Sequence, residues 1–146
     1  MKKIILLTIT FFVYLTINAQ KSSNILLGSW IIFKTISADS DHHLTQEESK
    51  QYVGDTISFS KAYIIAPKNK TFFGGCTSPN YQLKVVDAMK YYNNDRKYLK
   101  MIGCNTNVIE IVETSCGTPF ASIHIISKNE IDIGVDNYRY FLKKIK

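Results

Sequence analysis

What this chain lacks narrows it first. Among 146 residues there are only three cysteines, three histidines and one tryptophan. No two of Cys76, Cys104 and Cys116 lie at the short spacing of a zinc site, so a structural zinc module is excluded. No catalytic or cofactor motif stands out, and the histidine supply is His42, His43 and His124 alone. There is no internal repeat, no low-complexity tract and no linker that would split the chain, so a single domain is expected.

What is present begins with a tripartite N-terminus. Met1-Lys2-Lys3 is a short positive start, Ile4 to Ile17 is apolar but for Thr8, Thr10 and Thr16, and Asn18-Ala19-Gln20 places a small residue at a cleavage position. This pattern predicts a secretory signal peptide over residues 1–19, with the domain occupying 20–146. The apolar run is shorter than the roughly 20 residues a membrane span needs, so an integral membrane protein is not expected. No cysteine follows Ala19, which argues against a lipid anchor there. The expected location is periplasmic or secreted. Lys2 and Lys3 leave with the signal, so 16 basic residues face 12 acidic ones, a formal charge of +4. That surplus favours anionic cell-envelope surfaces, and export removes nucleic acid from the expected partners. An oxidising compartment also favours one disulfide. Cys76 and Cys116 sit beside turn residues at strand ends and are the expected pair, leaving Cys104 free.

The rest reads as short strands and polar turns. Strands are expected at Leu26 to Phe33, Thr56 to Ser60, Ala62 to Ile65, Tyr81 to Val86, Val108 to Thr114, Ala121 to Ile126, Ile131 to Asp136 and Tyr138 to Leu142. Thr45 followed by Glu48 forms a capping box, which predicts a helix from Gln46 to about Tyr52 that ends at Gly54. Asp87 to Lys100, rich in tyrosine, lysine and asparagine, reads as a loop with at most one helical turn. Eight closely spaced strands predict a mainly β antiparallel barrel or sandwich. In it Ile131, Ile133 and Val135 face inward, and His124, between Ile123 and Ile125, faces the outer side.

Gly28-Ser29-Trp30 in the first strand resembles the Gly-x-Trp signature of the lipocalin-like proteins. The resemblance implies a closed up-and-down barrel whose tryptophan seals one end beneath a basic residue from the last strand. Arg139 is the residue expected there, with Lys143 as its substitute, and a cation over the indole face would hold that end shut. The short helix departs from the family, because it follows the first strand and not the last. Gly28-x-Trp30, Tyr52-Val53-Gly54, Ile57-Ser58-Phe59, Cys76 to Tyr81 and Cys116 together also resemble a group of small exported bacterial proteins whose activity is not known.

Few residues suggest a site. Tyr91, Tyr92, Arg96, Lys97, Tyr98 and Lys100 interleave aromatics with cations, as a surface for an anionic glycan, lipid or partner would; the plainer reading is a solvated loop whose tyrosines half-cover the core. Asp39, Asp41, His42 and His43 share one polar loop, but adjacent histidines on such a loop seldom converge on one ion, and no metal or cofactor is expected. Asn69-Lys70-Thr71 matches a glycosylation acceptor by chance. Glu110 and Glu113 lie on opposite faces of one strand, which suits no paired-carboxylate chemistry. The expectation is therefore an exported small binding protein that holds an apolar ligand or a protein partner. The alternatives are an inhibitor or immunity protein against a cell-wall-degrading enzyme, and an enzyme whose site is assembled from distant residues.

Overall fold

The computed structural model describes residues 25–37, 45–67, 73–93, 96–136 and 138–146. The signal segment, the Asp39–His43 loop and Asn69 to Thr71 lie outside them. The elements are β1 (Gly28–Ser37), α1 (Gln46–Lys50), β2 (Thr56–Phe59), β3 (Tyr63–Ile65), β4 (Cys76–Thr77), β5 (Gln82–Asp87), α2 (Ala88–Tyr91), α3 (Arg96–Met101), β6 (Val108–Glu113), β7 (Ser122–Ser127), β8 (Glu130–Val135) and β9 (Tyr138–Lys144). The fold is mainly β, with nine antiparallel strands in one curled half-barrel sheet and a few short helices.

The strand order is β4-β3-β2-β1-β9-β8-β7-β6-β5. Two meanders, β1 to β4 and β5 to β9, are therefore joined by the pairing of the first strand with the last. That pairing runs from Trp30 opposite Lys144 to Ser37 opposite Tyr138, with a bulge between Ile32 and Lys34. A closed barrel needs a further pairing of β4 with β5, and among the described residues these two strands are the sheet's edges. The expected closure is thus replaced by a curled open sheet. The ninth strand is β4, two residues long, too short for an alternating pattern to announce it.

Period-2 alternation fixes the concave core. Trp30 and Ile32 on β1, Ile57 and Phe59 on β2, Ile64 on β3, Val112 on β6, Ile123 and Ile125 on β7, Ile131, Ile133 and Val135 on β8, and Tyr138, Tyr140 and Leu142 on β9 are all buried in one cluster. The short helix forms where its sequence cap directs. Thr45 Oγ1 accepts the Glu48 backbone N–H at 3.2 Å, and Glu48 returns a carboxylate to the Thr45 N–H at 2.8 Å. Behind it Tyr52 stacks edge-on against Tyr140 at 5.7 Å and helps close the concave side. At the edge strand β4, Cys76 lies at disulfide distance from Cys116 beyond β6, with Cα atoms 5.9 Å apart, and Cys104 is free. The Ser115 hydroxyl accepts the Asn80 N–H at 3.0 Å and donates to the Ser78 carbonyl at 3.4 Å, so the β4–β5 connection is tied to the β6–β7 connection at two points.

The tryptophan is where the sequence places it, but its lid is different. Trp30 is fully buried and donates its indole N–H to the Leu26 carbonyl at 2.7 Å. The cation over its ring is Lys144, 5.2 Å from the centroid, whose ammonium also donates to the Ile25 carbonyl at 3.2 Å. Parity explains the correction. Lys144 is Trp30's direct partner across the β1–β9 ladder and shares its face. Arg139 and Lys143 are odd-numbered, so they point to the convex side, where Lys143 lies over Phe33 at 4.3 Å.

Candidate functional site

The most unusual chemistry lies on the convex face of β6 to β9. His124 does point away from Ile123 and Ile125, as its alternation requires, but it is not at the surface: it is buried, because α2 and α3 lie across that face. The expected loop from Asp87 to Lys100 is this cover. Asp87 caps α2 by accepting the Lys90 N–H at 2.8 Å, and α3 ends as Gly103 takes a positive φ of 74° and the Cys104 N–H returns to the Leu99 carbonyl. Ala88, Tyr92, Tyr98 and Leu99 then pack on Ile109 and Ile111 as a second apolar cluster.

Beneath this cover is a row of polar groups. His124 on β7 is directly opposite Asp132 on β8, and both are buried. Asp132 Oδ2 lies 3.0 Å from His124 Nδ1 and accepts the Tyr92 hydroxyl at 3.0 Å. Tyr92 Oη is also 2.5 Å from His124 Nδ1. Asp132 Oδ1 accepts from Arg139 Nη2 in an ion pair. The guanidinium in turn lies 5.1 Å from the Tyr92 ring centre and 5.6 Å from that of Tyr91, whose hydroxyl accepts from Ser122 at 3.1 Å. Arg139 reaches this position across Gly134, its ladder partner, where a β-carbon would come within 2.8 Å of its Nη1.

The electrostatics follow from burial. Desolvation, helped by the positive Arg139, pushes the His124 pKa down to about 4. Desolvation raises the Tyr92 phenol well above its ordinary range, with Arg139 opposing. At neutral pH the imidazole is therefore uncharged, and since a carboxylate only accepts, the Nδ1–H is the donor toward Asp132. Tyr92 and Asp132 engage the same ring nitrogen. The tyrosine hydroxyl thus sits on the carboxylate's side of the imidazole, and not across the ring from it as a relayed nucleophile would. Chemically the quartet neutralises itself and fastens the α2–α3 segment to the sheet.

The six residues read from sequence as a surface are therefore divided by the structure. Tyr92 and Tyr98 are buried and Tyr91 is half-buried, all packed inward. Arg96 and Lys100 are exposed, and the Lys97 side chain lies outside the described residues. Arg139 belongs to the quartet and not to the tryptophan. Asp132 escaped sequence reasoning, although a signal existed: the outward positions of three consecutive hairpin strands carry His124, Asp132 and Arg139, three ionisable groups in one row. Among the described residues no three histidine, cysteine or acidic side chains gather as a metal site, and no helix is long and apolar enough to cross a membrane. No protein-family model, curated protein or solved structure matches this chain.

Proposed function

We propose that this chain is a small exported cell-envelope protein that works by binding at its outer surface, on a sheet compatible with a lipocalin-like barrel. The observation that carries the reading is the state of the concave face. A carrier of apolar ligands needs an open, mostly apolar cavity there. Instead Trp30, Phe59, Phe73, Phe120 and Tyr140 meet ring to ring or pack together in one cluster, with Phe59 and Phe120 edge-on at 5.9 Å and Phe73 and Tyr140 at 5.3 Å. Export is supported by the Met1 to Gln20 pattern and by the Cys76–Cys116 pair. The test is a titration with an environment-sensitive apolar fluorophore while Trp30 emission is followed. The expected result is no saturable uptake and no quenching. One-to-one uptake that quenches Trp30 would replace this reading with ligand carriage.

A further inference from the structure

The antiparallel register collects one set of chain ends at a single rim of the half-barrel. Asp87 faces Val108, Glu110 faces Ile125, Glu130 faces Lys143, and Lys144 faces Trp30. The end of β5, the start of β6, the β7–β8 turn, the end of β9 and the start of β1 therefore lie side by side. Ser115 and Cys116 follow the other end of β6, at the opposite rim of these strands.

The two rims differ in chemistry. At the first, a groove of about 380 Å³ opens between the β7–β8 turn and the chain's last residues, and Lys143, Lys144 and Lys146 line it together with Glu130 and Ile145. Lys128 is exposed in the adjoining turn. Four lysines thus share this rim with three acidic groups, Glu110, Glu130 and Asp87; Asp87 is engaged as the cap of α2, and Lys144 lies over Trp30. Apolar side chains that the fold leaves in water stand along the same rim: Ile145, in the groove, is 45% exposed, and Val108 and Ile126, at the ends of β6 and β7, are 56% and 38% exposed. Lysines interspersed with exposed aliphatics are what a surface resting on anionic lipid carries, because the ammonium groups meet phosphates while the branched chains enter the head-group layer.

We infer that this rim docks the protein onto the surface of an anionic phospholipid bilayer, with the Lys143–Lys146 groove receiving a phosphodiester head group. The inference rests on the surface-binding reading above and names its partner. Charge complementarity selects this occupant. A neutral apolar partner would gain nothing from four lysines, and a soluble phosphate nothing from Ile126, Val108 and Ile145.

The test is flotation of the full chain with phosphatidylglycerol-containing vesicles and, separately, with pure phosphatidylcholine vesicles. Binding is expected to the first only, falling steeply between about 0.1 M and about 1 M salt as the lysines are screened. Lys143→Gln with Lys146→Gln should weaken partitioning about thirty-fold, at roughly 1 kcal/mol per lysine near an anionic surface. Ile145→Ser alone should weaken it several-fold. Lys144 is left intact because it seals Trp30. Arg96→Gln with Lys100→Gln, the same charge change on α3, should leave binding near the parent value, and unchanged circular dichroism should show that every variant is folded. Equal loss in the α3 variant would overturn the location. Equal binding to both vesicle types, or none to either, would overturn the partner. Full displacement by millimolar inorganic phosphate would show a site for the free anion and also overturn it. None of these outcomes bears on whether the concave face takes up an apolar probe, so the two readings fail separately.

Discussion

The two meanders share one concave core but treat their convex faces in opposite ways. On β1 to β4, apart from Ile36, which packs against the second cluster, that face is open among the described residues: Ser29 and Ser58 join hydroxyls at 2.9 Å, and Ile31, Tyr63 and Ile65 stand 36%, 48% and 50% exposed. On β5 to β9 the α2–α3 segment covers it, and His124 and Asp132 are 5% and 0% exposed. Apolar side chains are thus in water on one half while ionisable ones are buried on the other. On the concave side of β1, β2, β8 and β9, alternation of apolar residues predicts burial, whereas Val85 on the edge strand β5 is 65% exposed. On the convex side burial depends on what lies across the sheet, and polar groups trapped there must satisfy one another.

The largest effect expected from this contrast is at Asp132. Asp132→Asn removes the charge that answers Arg139 and the acceptor shared by Tyr92 and His124, and should destabilise by about 3–5 kcal/mol, as breaking a buried pair does. Ser58→Ala, on the bare half, should stay within about 1 kcal/mol. Urea unfolding of both variants measures the difference. Comparable losses would mean that the buried row is not under special constraint.

Next comes the tie between the halves. Cys76 and Cys116 close a loop spanning 40 positions. Replacing both with serine should lower stability by about 4 kcal/mol in the chain-entropy model. The native Cys104 thiol remains as a label. If the link holds the β4 edge against the rest, amide exchange should accelerate in β3 and β4 more than in β7 to β9. Uniform acceleration would show that the bond stabilises the whole domain without joining one half to the other.

The quartet also predicts an acid-sensitive half. His124 titrates near 6.5 when unfolded and is held at about 4 when folded. Between those values the unfolded chain binds the extra proton, so this residue's contribution is complete above about pH 6.5 and declines as the pH falls toward 4, by roughly 3 kcal/mol in all. Carboxylates elsewhere add their own acid response. The measurement is therefore the difference between the parent and His124→Gln, whose stability curves should converge by about this amount as the pH falls from 7 to 4. Parallel curves would mean that the imidazole is not buried as described.

How much of this was legible follows the same division. The concave residues Ile131, Ile133 and Val135 were readable from alternation alone, as was the α1 cap at Thr45 and Glu48, because local periodicity and a local hydrogen bond determine them. Lys144 over Trp30 was not, because a one-residue change of register exchanges the faces and only the β1–β9 pairing fixes it. The α2–α3 cover was hidden by its composition. Tyr92 and Tyr98 each have an apolar ring and a polar tip, so the same letters serve a solvated loop and a packed one. A solvated loop there would leave His124 and Asp132 in water, and nothing in the local sequence turns Arg139 from the tryptophan to Asp132.

The smallest expected effect is the sharpest check on the bare half. Tyr63 and Ile65 point to the convex side of β3, opposite Thr77 and Ser58, with about half of each in water. If nothing lies over them, replacing both with threonine keeps the residues β-favouring and removes only partial cross-strand contacts worth roughly 0.2–1 kcal/mol each. The double variant should therefore lie within about 1 kcal/mol of the parent. Ile111→Thr makes the same kind of change under α2 and α3, where Ile111 is buried against the second cluster and faces His124. It places a hydroxyl among apolar groups and should destabilise by about 1–3 kcal/mol. Thermal melts of the two variants side by side read the contrast directly. If the threonine pair on β3 loses as much as Ile111→Thr, the β1–β4 face is packed against something in solution, and the asymmetry between the two halves does not hold.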